Sequence, residues 1–267
     1  GIVAMYLGQK AVGENTGGLS PYPHRVWEAK DTQEYWTSKF GYRLESGDLD
    51  GDGLDELAVV QSHLKFIRVF TGQSMLGAAS QTVAAASDAQ WTSTLSSGGR
   101  GADVRIADIN NDGAVDLIVG TMGFNSARGS VQLHLGQLNA LPDTSPSATV
   151  LGKDGGDQLG AALAVLDDLD ADGVQDLAVV GMTVDTLGPN VGLPYFLSGN
   201  SLVNATAVDD NAPSPLQAMT YPGKMAGVGV GMRDSVALLG DLNGDGTDDV
   251  AIGTPKISTQ ILGSNTG

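Results

Sequence analysis

Apolar residues in this chain come in short, β-branched bursts that end at Gly or a polar residue: LAVV at 57–60, LIVG at 117–120, LAVVG at 177–181 and VAIG at 250–253. Runs of this length, bounded by turn formers, predict buried strands rather than helices. A second set follows each burst, alternating apolar and polar and ending at Gly: FIRVFTG at 66–72, VQLHLG at 131–136, LPYFLSG at 193–199 and ISTQILG at 257–263. The segment IVAMYLG at 2–8 is the same element at the head of the chain. A third strand precedes each burst, and a fourth, less regular one lies between units, as in HRVWEA at 24–29 or ATVLG at 148–152. No stretch has helical periodicity long enough for a crossover, so the expectation is four short antiparallel strands per unit.

Directly before each burst stands one acidic phrase, written four times: DLDGDGLDE from Asp48, DINNDGAVD from Asp108, DLDADGVQD from Asp168 and DLNGDGTDD from Asp241. Asp or Asn fills positions 1, 3 and 5, Gly fills position 6, and a carboxylate returns at position 9. A hard divalent cation such as Ca²⁺ wants six to eight oxygens at about 2.3–2.6 Å, so a short loop must turn several carboxylates and a carbonyl inward together. The glycines Gly53, Gly113, Gly173 and Gly246 supply the backbone freedom for that curl. The expected ligands are the side chains of Asp48, Asp50, Asp52 and Glu56; Asp108, Asn110, Asp112 and Asp116; Asp168, Asp170, Asp172 and Asp176; and Asp241, Asn243, Asp245 and Asp249. Backbone carbonyls at position 7 complete each set, from Leu54, Ala114, Val174 and Thr247. An EF-hand would place a Glu at position 12. Here that position holds Val59, Val119, Val179 and Ile252, inside the predicted strand, which excludes the helical calcium families.

The loops start 60, 60 and 73 residues apart, and a fixed period of this size marks a repeat architecture. Four short strands per repeat predict an all-β fold, a β-propeller of four-stranded antiparallel blades with a calcium loop in each first hairpin. One domain, 1–267, would divide into units of about 1–38 (partial), 39–98, 99–156, 157–228 and 229–267 (incomplete), the longer interval being an excursion around 203–232.

Phe40-Gly41 leading into GDLDGDGLDELAVV, Leu159-Gly160 leading into DDLDADGVQDLAVVG, and the stretch from Asp241 to Gly253 resemble the FG-GAP repeats of integrin α subunits and of many bacterial extracellular proteins. The Phe-Gly signature is literal once, relaxed to Leu-Gly once, and absent before the second and fourth loops. The resemblance implies a seven-bladed ring, whereas four loop-bearing blades and a leading partial one are present. A segment of a longer protein, a ring closed by another chain, or an open arc would each account for this. The segment is favoured, because an open arc exposes strand edges and an apolar face.

The formal charge of −17 would ordinarily signal repulsion from nucleic acid and anionic membranes. However, 17 of the 31 acidic residues lie in or against the loops, and four Ca²⁺ would leave −9, so the acidity is chiefly a metal requirement. The chain has no cysteine, which removes disulfides, thiolate zinc sites and cysteine nucleophiles, and favours a bacterial or archaeal surface protein over a eukaryotic ectodomain. Extracellular calcium modules bind at about 10⁻⁴–10⁻³ M, so such loops fill outside the cell. No apolar stretch is long enough for a membrane span.

Catalytic machinery is not legible. The chain carries no GxSxG, HExxH or phosphate loop, and the histidines His24, His63 and His134 stand in unrelated contexts. Strand alternation makes His134 a core or sheet-face residue. The expectation is a non-catalytic extracellular adhesion module that binds a protein or glycan on the face opposite the calcium loops. That face would gather 61–65, 121–130, 182–193, 30–39, 87–101 and 220–233. A structural unit that self-associates into a surface layer or filament, or that props an enzyme, is the alternative. Trp36 and Trp91, each followed by Thr-Ser, serve either as ligand-facing aromatics or as repeated blade packing. Asn204-Ala205-Thr206 is a glycosylation triplet that matters only in a secretory host, and Arg100-Gly101-Ala102-Asp103 only loosely resembles an adhesion tripeptide.

Overall fold

The computed structural model describes residues 1–9, 18–29, 39–61, 66–77, 81–83, 91–94, 102–170, 172–182, 193–204, 217–218, 236–244 and 249–252. These form a succession of small sheets that follow one another along the chain. The first joins Ile2–Met5, Arg25–Ala29 and Gln81–Val83. The second runs Phe40–Gly47, Glu56–Gln61, Phe66–Phe70 and Trp91–Thr94. The third is Ala102–Ala107, Asp116–Thr121, Ser130–His134 and Ala148–Leu151, and the fourth Leu159–Leu166, Asp176–Gly181, Leu193–Ser198 and Gln217–Ala218. A fifth pairs Val236–Gly240 with Asp249–Ile252, and a two-residue hairpin joins Gly8–Gln9 to Gly18–Leu19. This is an all-β, propeller-type fold with few helical turns.

The bursts read as continuous apolar runs because both faces of each middle strand are covered. Ala58 and Val60 point into one cluster with Val104, Leu117 and Val119 of the third sheet. Their neighbour Val59 points the other way, to Val3, Trp27, Phe40 and Phe70. The same alternation sets Ile118, Val131 and Leu133 against Leu163, Leu177, Val179 and Leu197, while Ala162, Ala164, Ala178 and Val180 meet Val250. Each interior therefore lies between two successive sheets, and the period-2 geometry of the strand divides its side chains between two interiors. Packing also changes character along the chain. Aromatic rings fill the first interior, with Trp27 and Phe70 5.2 Å apart between centroids, whereas alanines line the last one described.

The Phe-Gly signature has a steric reason. Gly41 and Gly160 both take φ +80, and each strand carries a register shift immediately after it. A Cβ on Gly160 would stand 2.3 Å from the Ser130 carbonyl oxygen of the preceding sheet. The third sheet, whose first strand lacks the signature, pairs Ala102–Ala107 with Asp116–Thr121 without a shift.

One pairing departs from the expected all-antiparallel blade. Gln81–Val83, which follows the third strand of the second sheet, lies parallel to Arg25–Ala29 of the first. The Arg25 guanidinium likewise donates to the carbonyl of Ser74, so the segment between strands reaches back over its neighbour. A polar tie works deeper in. Asp103, 1% exposed, accepts from the backbone N–H of Leu163 at 2.9 Å and pairs with Arg43 at 3.3 Å and Arg105 at 2.9 Å, joining the second, third and fourth sheets. Among the described residues no helix is long and apolar enough to cross a membrane.

Candidate metal centre

Each acidic phrase links the first and second strands of its sheet. Position 1 starts the curl: Asp48, Asp108 and Asp168 accept through Oδ2 from the N–H of Gly53, Gly113 and Gly173 at 3.0, 2.9 and 2.8 Å. Those glycines take φ +89, +88 and +93, where a side chain would be strained. Position 3 (Asp50, Asn110, Asp170) accepts from the N–H of position 5, and position 5 (Asp52, Asp112, Asp172) from that of position 7. Such local side-chain bonds to the backbone compete with strand and helix, which is why these residue types make the loop.

Position 9 does more than the spacing revealed. Glu56, Asp116 and Asp176 are 0, 0 and 3% exposed. One oxygen accepts from the N–H at position 2 of the same loop: Leu49 at 2.8 Å, Ile109 at 3.0 Å and Leu169 at 2.8 Å. Leu242 repeats the bond to Asp249 at 2.9 Å. The other oxygen accepts from the Gly that closes the third strand: Gly72 at 3.0 Å, Gly136 at 2.7 Å and Gly199 at 3.4 Å. These glycines are sterically required. A Cβ would stand 2.5 Å from Leu54 Cβ, 2.3 Å from the Val115 oxygen and 2.3 Å from the Gln175 oxygen respectively. The recurring terminal Gly of the third strand was the sequence signal for this contact. Its partner was not legible, since 16 to 23 residues separate the two ends.

Two of the expected ligand sets are gathered. One oxygen each from Asp48, Asp50 and Glu56, and likewise from Asp168, Asp170 and Asp176, lie within 4.8 Å of one another. The position-5 carboxylates Asp52 and Asp172 stand outside these triads, and Ser198 donates to Asp172 at 2.9 Å. In the loop from Asp108, position 3 is an amide, and Asn110 donates to Asp112 at 2.8 Å. Asp241 and Asn243 are exposed; Asp245 and Thr247 lie outside the described residues.

Whether a hard cation suits the loop can be judged at Asp48. Its Oδ1 is buried without a hydrogen-bond partner, beside two other carboxylates. A buried anionic acceptor left unpaired is costly unless something positive meets it. The electrostatics agree. Burial first, then the neighbouring loop carboxylates, push Asp116 up to about 6 despite its two backbone donors. Glu56 and Asp176 are raised for the same reasons, chiefly burial. An all-oxygen, multiply anionic cage of this kind fits Ca²⁺.

At the other end of the strands, the 121–130 loop makes a tight left-handed turn: Asn125, Ser126 and Ala127 take φ +46, +59 and +62. Arg128 pins it by donating to the carbonyls of Gly152 and Lys153 at 2.8 and 2.9 Å. Asn125 and Ser126 are left exposed. The remaining ligand-face segments, with Trp36 and His63, lie wholly or largely outside the described residues.

The fold and these loops define a class, an all-β propeller-type repeat chain with an acidic phrase in four of its units. Residues 48–119 match the FG-GAP-like repeat family and residues 233–256 the FG-GAP repeat family. The chain is similar to Integrin alpha pat-2 of Caenorhabditis elegans, 27% identical over 251 residues, 84% of this chain and 18% of that protein. It is also similar to Integrin alpha pat-2 of Caenorhabditis briggsae, 26% identical over 266 residues, 91% of this chain and 20% of that protein. Two stretches of the chain thus match FG-GAP-type repeats, the chain as a whole is similar to integrin α chains, and it spans about a fifth of the length of the curated relatives it matches.

Proposed function

We propose that this chain is an extracellular, non-catalytic adhesion module in which Ca²⁺ bound at the four acidic loops braces the sheets, leaving the opposite face to hold a protein or glycan ligand. The observation that carries the metal reading is the orphaned, buried Oδ1 of Asp48 amid a carboxylate triad that recurs at Asp168. Adhesion rests on the similarity to proteins named as integrin α chains. Asp48, Asp50, Asp52 and Glu56, with the Leu54 carbonyl, would hold one ion, and the equivalent positions of the other loops the rest. When bound, the cation supplies positive charge that offsets the clustered carboxylates; Glu56, Asp116 and Asp176 keep their own loops docked on the ends of the third strands.

Calorimetric titration with Ca²⁺ tests the metal assignment. Binding near 10⁻⁴–10⁻³ M is expected, with one site lost for each Asp→Asn change at position 1. Absence of binding at millimolar calcium would sink it. The ligand face is tested on protein and glycan arrays, where exchanging Asn125 and Ser126 should weaken capture and Asp48→Asn at saturating calcium should not.

A further inference from the structure

Position 4 of the acidic phrase carries no expected ligand, and it differs among the loops: Gly51, Asn111, Ala171 and Gly244. Asn111 takes φ +55, in the left-handed region, and its Nδ2 donates to the carbonyl of Gly173 at 3.2 Å, 62 residues away in the next loop. Gly173 sits beside Val174, so that bond orients the peptide that leads into the position-7 carbonyl. Between the two loops lies an open groove of about 240 Å³, lined by Asp108, Asn111, Asp168, Gly173, Val174 and Gln175, and Asn111 crosses it. The contact is supported from below. The carbonyl of Ile109 would lie 2.4 Å from a Cβ on Gly199, the glycine that binds Asp176. The Ile109 side chain is buried with Leu177 and Leu197 of the fourth sheet and with Leu202 of the short helix Gly199–Asn204 that follows its third strand.

We propose that the loops at 108–116 and 168–176 are coupled through the Asn111 side chain, so that filling one raises the affinity of the other for Ca²⁺. This rests on the calcium reading above. A cation in the first loop orders residues 108–113 and with them Asn111. Asn111 then holds the Gly173–Val174 peptide in place, and the second loop has less freedom to lose on binding. Coupling between binding sites is reciprocal, so each ion must help the other by the same factor. One exposed amide hydrogen bond supplies a factor of about three.

The test follows the amide signals of Gly113 and Gly173 by nitrogen-15 NMR of the whole chain during a Ca²⁺ titration, since each N–H binds its loop's first Asp. Disabling the second loop with Asp168→Asn and Asp172→Asn should raise the calcium midpoint at Gly113 about threefold. Disabling the first with Asp108→Asn and Asp112→Asn should do the same at Gly173. In an Asn111→Gly background both responses should vanish; Gly51 and Gly244 occupy the same position at φ +73 and +78, so the backbone accepts the change. Midpoints that ignore the neighbouring loop, or that respond equally with and without Asn111, overturn the coupling while leaving calcium binding intact. If neither amide moves with calcium in any variant, the metal reading itself fails and the coupling with it.

Discussion

At the scale of single residues, the ninth-position acid and the third-strand glycine form one device. The carboxylate ties the start of the loop to the end of a strand that follows it, and the glycine lets the loop backbone come close enough to be tied. Gly136→Ala should therefore lose about 2–3 kcal/mol in chemical denaturation, from forced overpacking. Gly155→Ala, whose added Cβ would meet its nearest neighbour at 3.7 Å, should stay within about 0.5 kcal/mol. Asp116→Asn keeps the shape but turns an amide donor toward one of two N–H groups, a loss of about 1–3 kcal/mol. His134 gives a pH signature. It is buried, and burial holds its imidazole below the usual 6.5, against the Asp143 and Ser145 carbonyls, which favour the cation. A depressed folded value means that the unfolded chain takes up the proton first. Stability should therefore fall as pH drops below 6.5, and less steeply in His134→Gln, measured by thermal melts from pH 7.5 to 5.

Elements stand or fall in pairs here. Each interior is shared between successive sheets, with Val59 facing one way and Ala58 and Val60 the other, so no sheet holds its shape without its neighbours. Asp103 works at this scale, as one buried carboxylate joining strands from three sheets. Removing a single partner of a buried ionic cluster leaves the others uncompensated. Asp103→Ala should cost about 3–5 kcal/mol, more than the loss of an exposed loop acid such as Asp55. Equal destabilisation by Asp103→Ala and Asp55→Ala would show that the tie contributes nothing special.

For the whole molecule the governing quantity is charge. A formal −17 on 267 residues, more than half of the acids in or against four loops, is self-repelling unless cations sit among them. On the proposed calcium assignment, each site would add about 1.4 kcal/mol at calcium tenfold above Kd, so four together would rival the stability of an ordinary domain. Excess chelator should lower Tm by many degrees, and millimolar calcium should restore it. A melt that ignores chelator would remove calcium from the structural account.

Much of this was legible in the order of residues alone. Alternation, burst length and the position of Asp, Asn and Gly are local properties, so strand identity, the hairpin loops and the period of the repeat follow from the sequence. The sequence also marked Phe40-Gly41, Leu159-Gly160 and the terminal glycines of the third strands without saying what they touch. Only the tertiary structure decided that. Gly160 meets Ser130, Asp103 meets Arg43 and Leu163, and Asn111 meets Gly173, because successive sheets are packed against one another, while Gly136 meets Val115 across neighbouring strands of one sheet. The parallel return of Gln81–Val83 to the first sheet is of the same kind, a pairing of backbone groups that leaves no trace in side-chain pattern. Local chemistry chooses a residue's conformation, whereas its partner depends on which surfaces the packed sheets bring together.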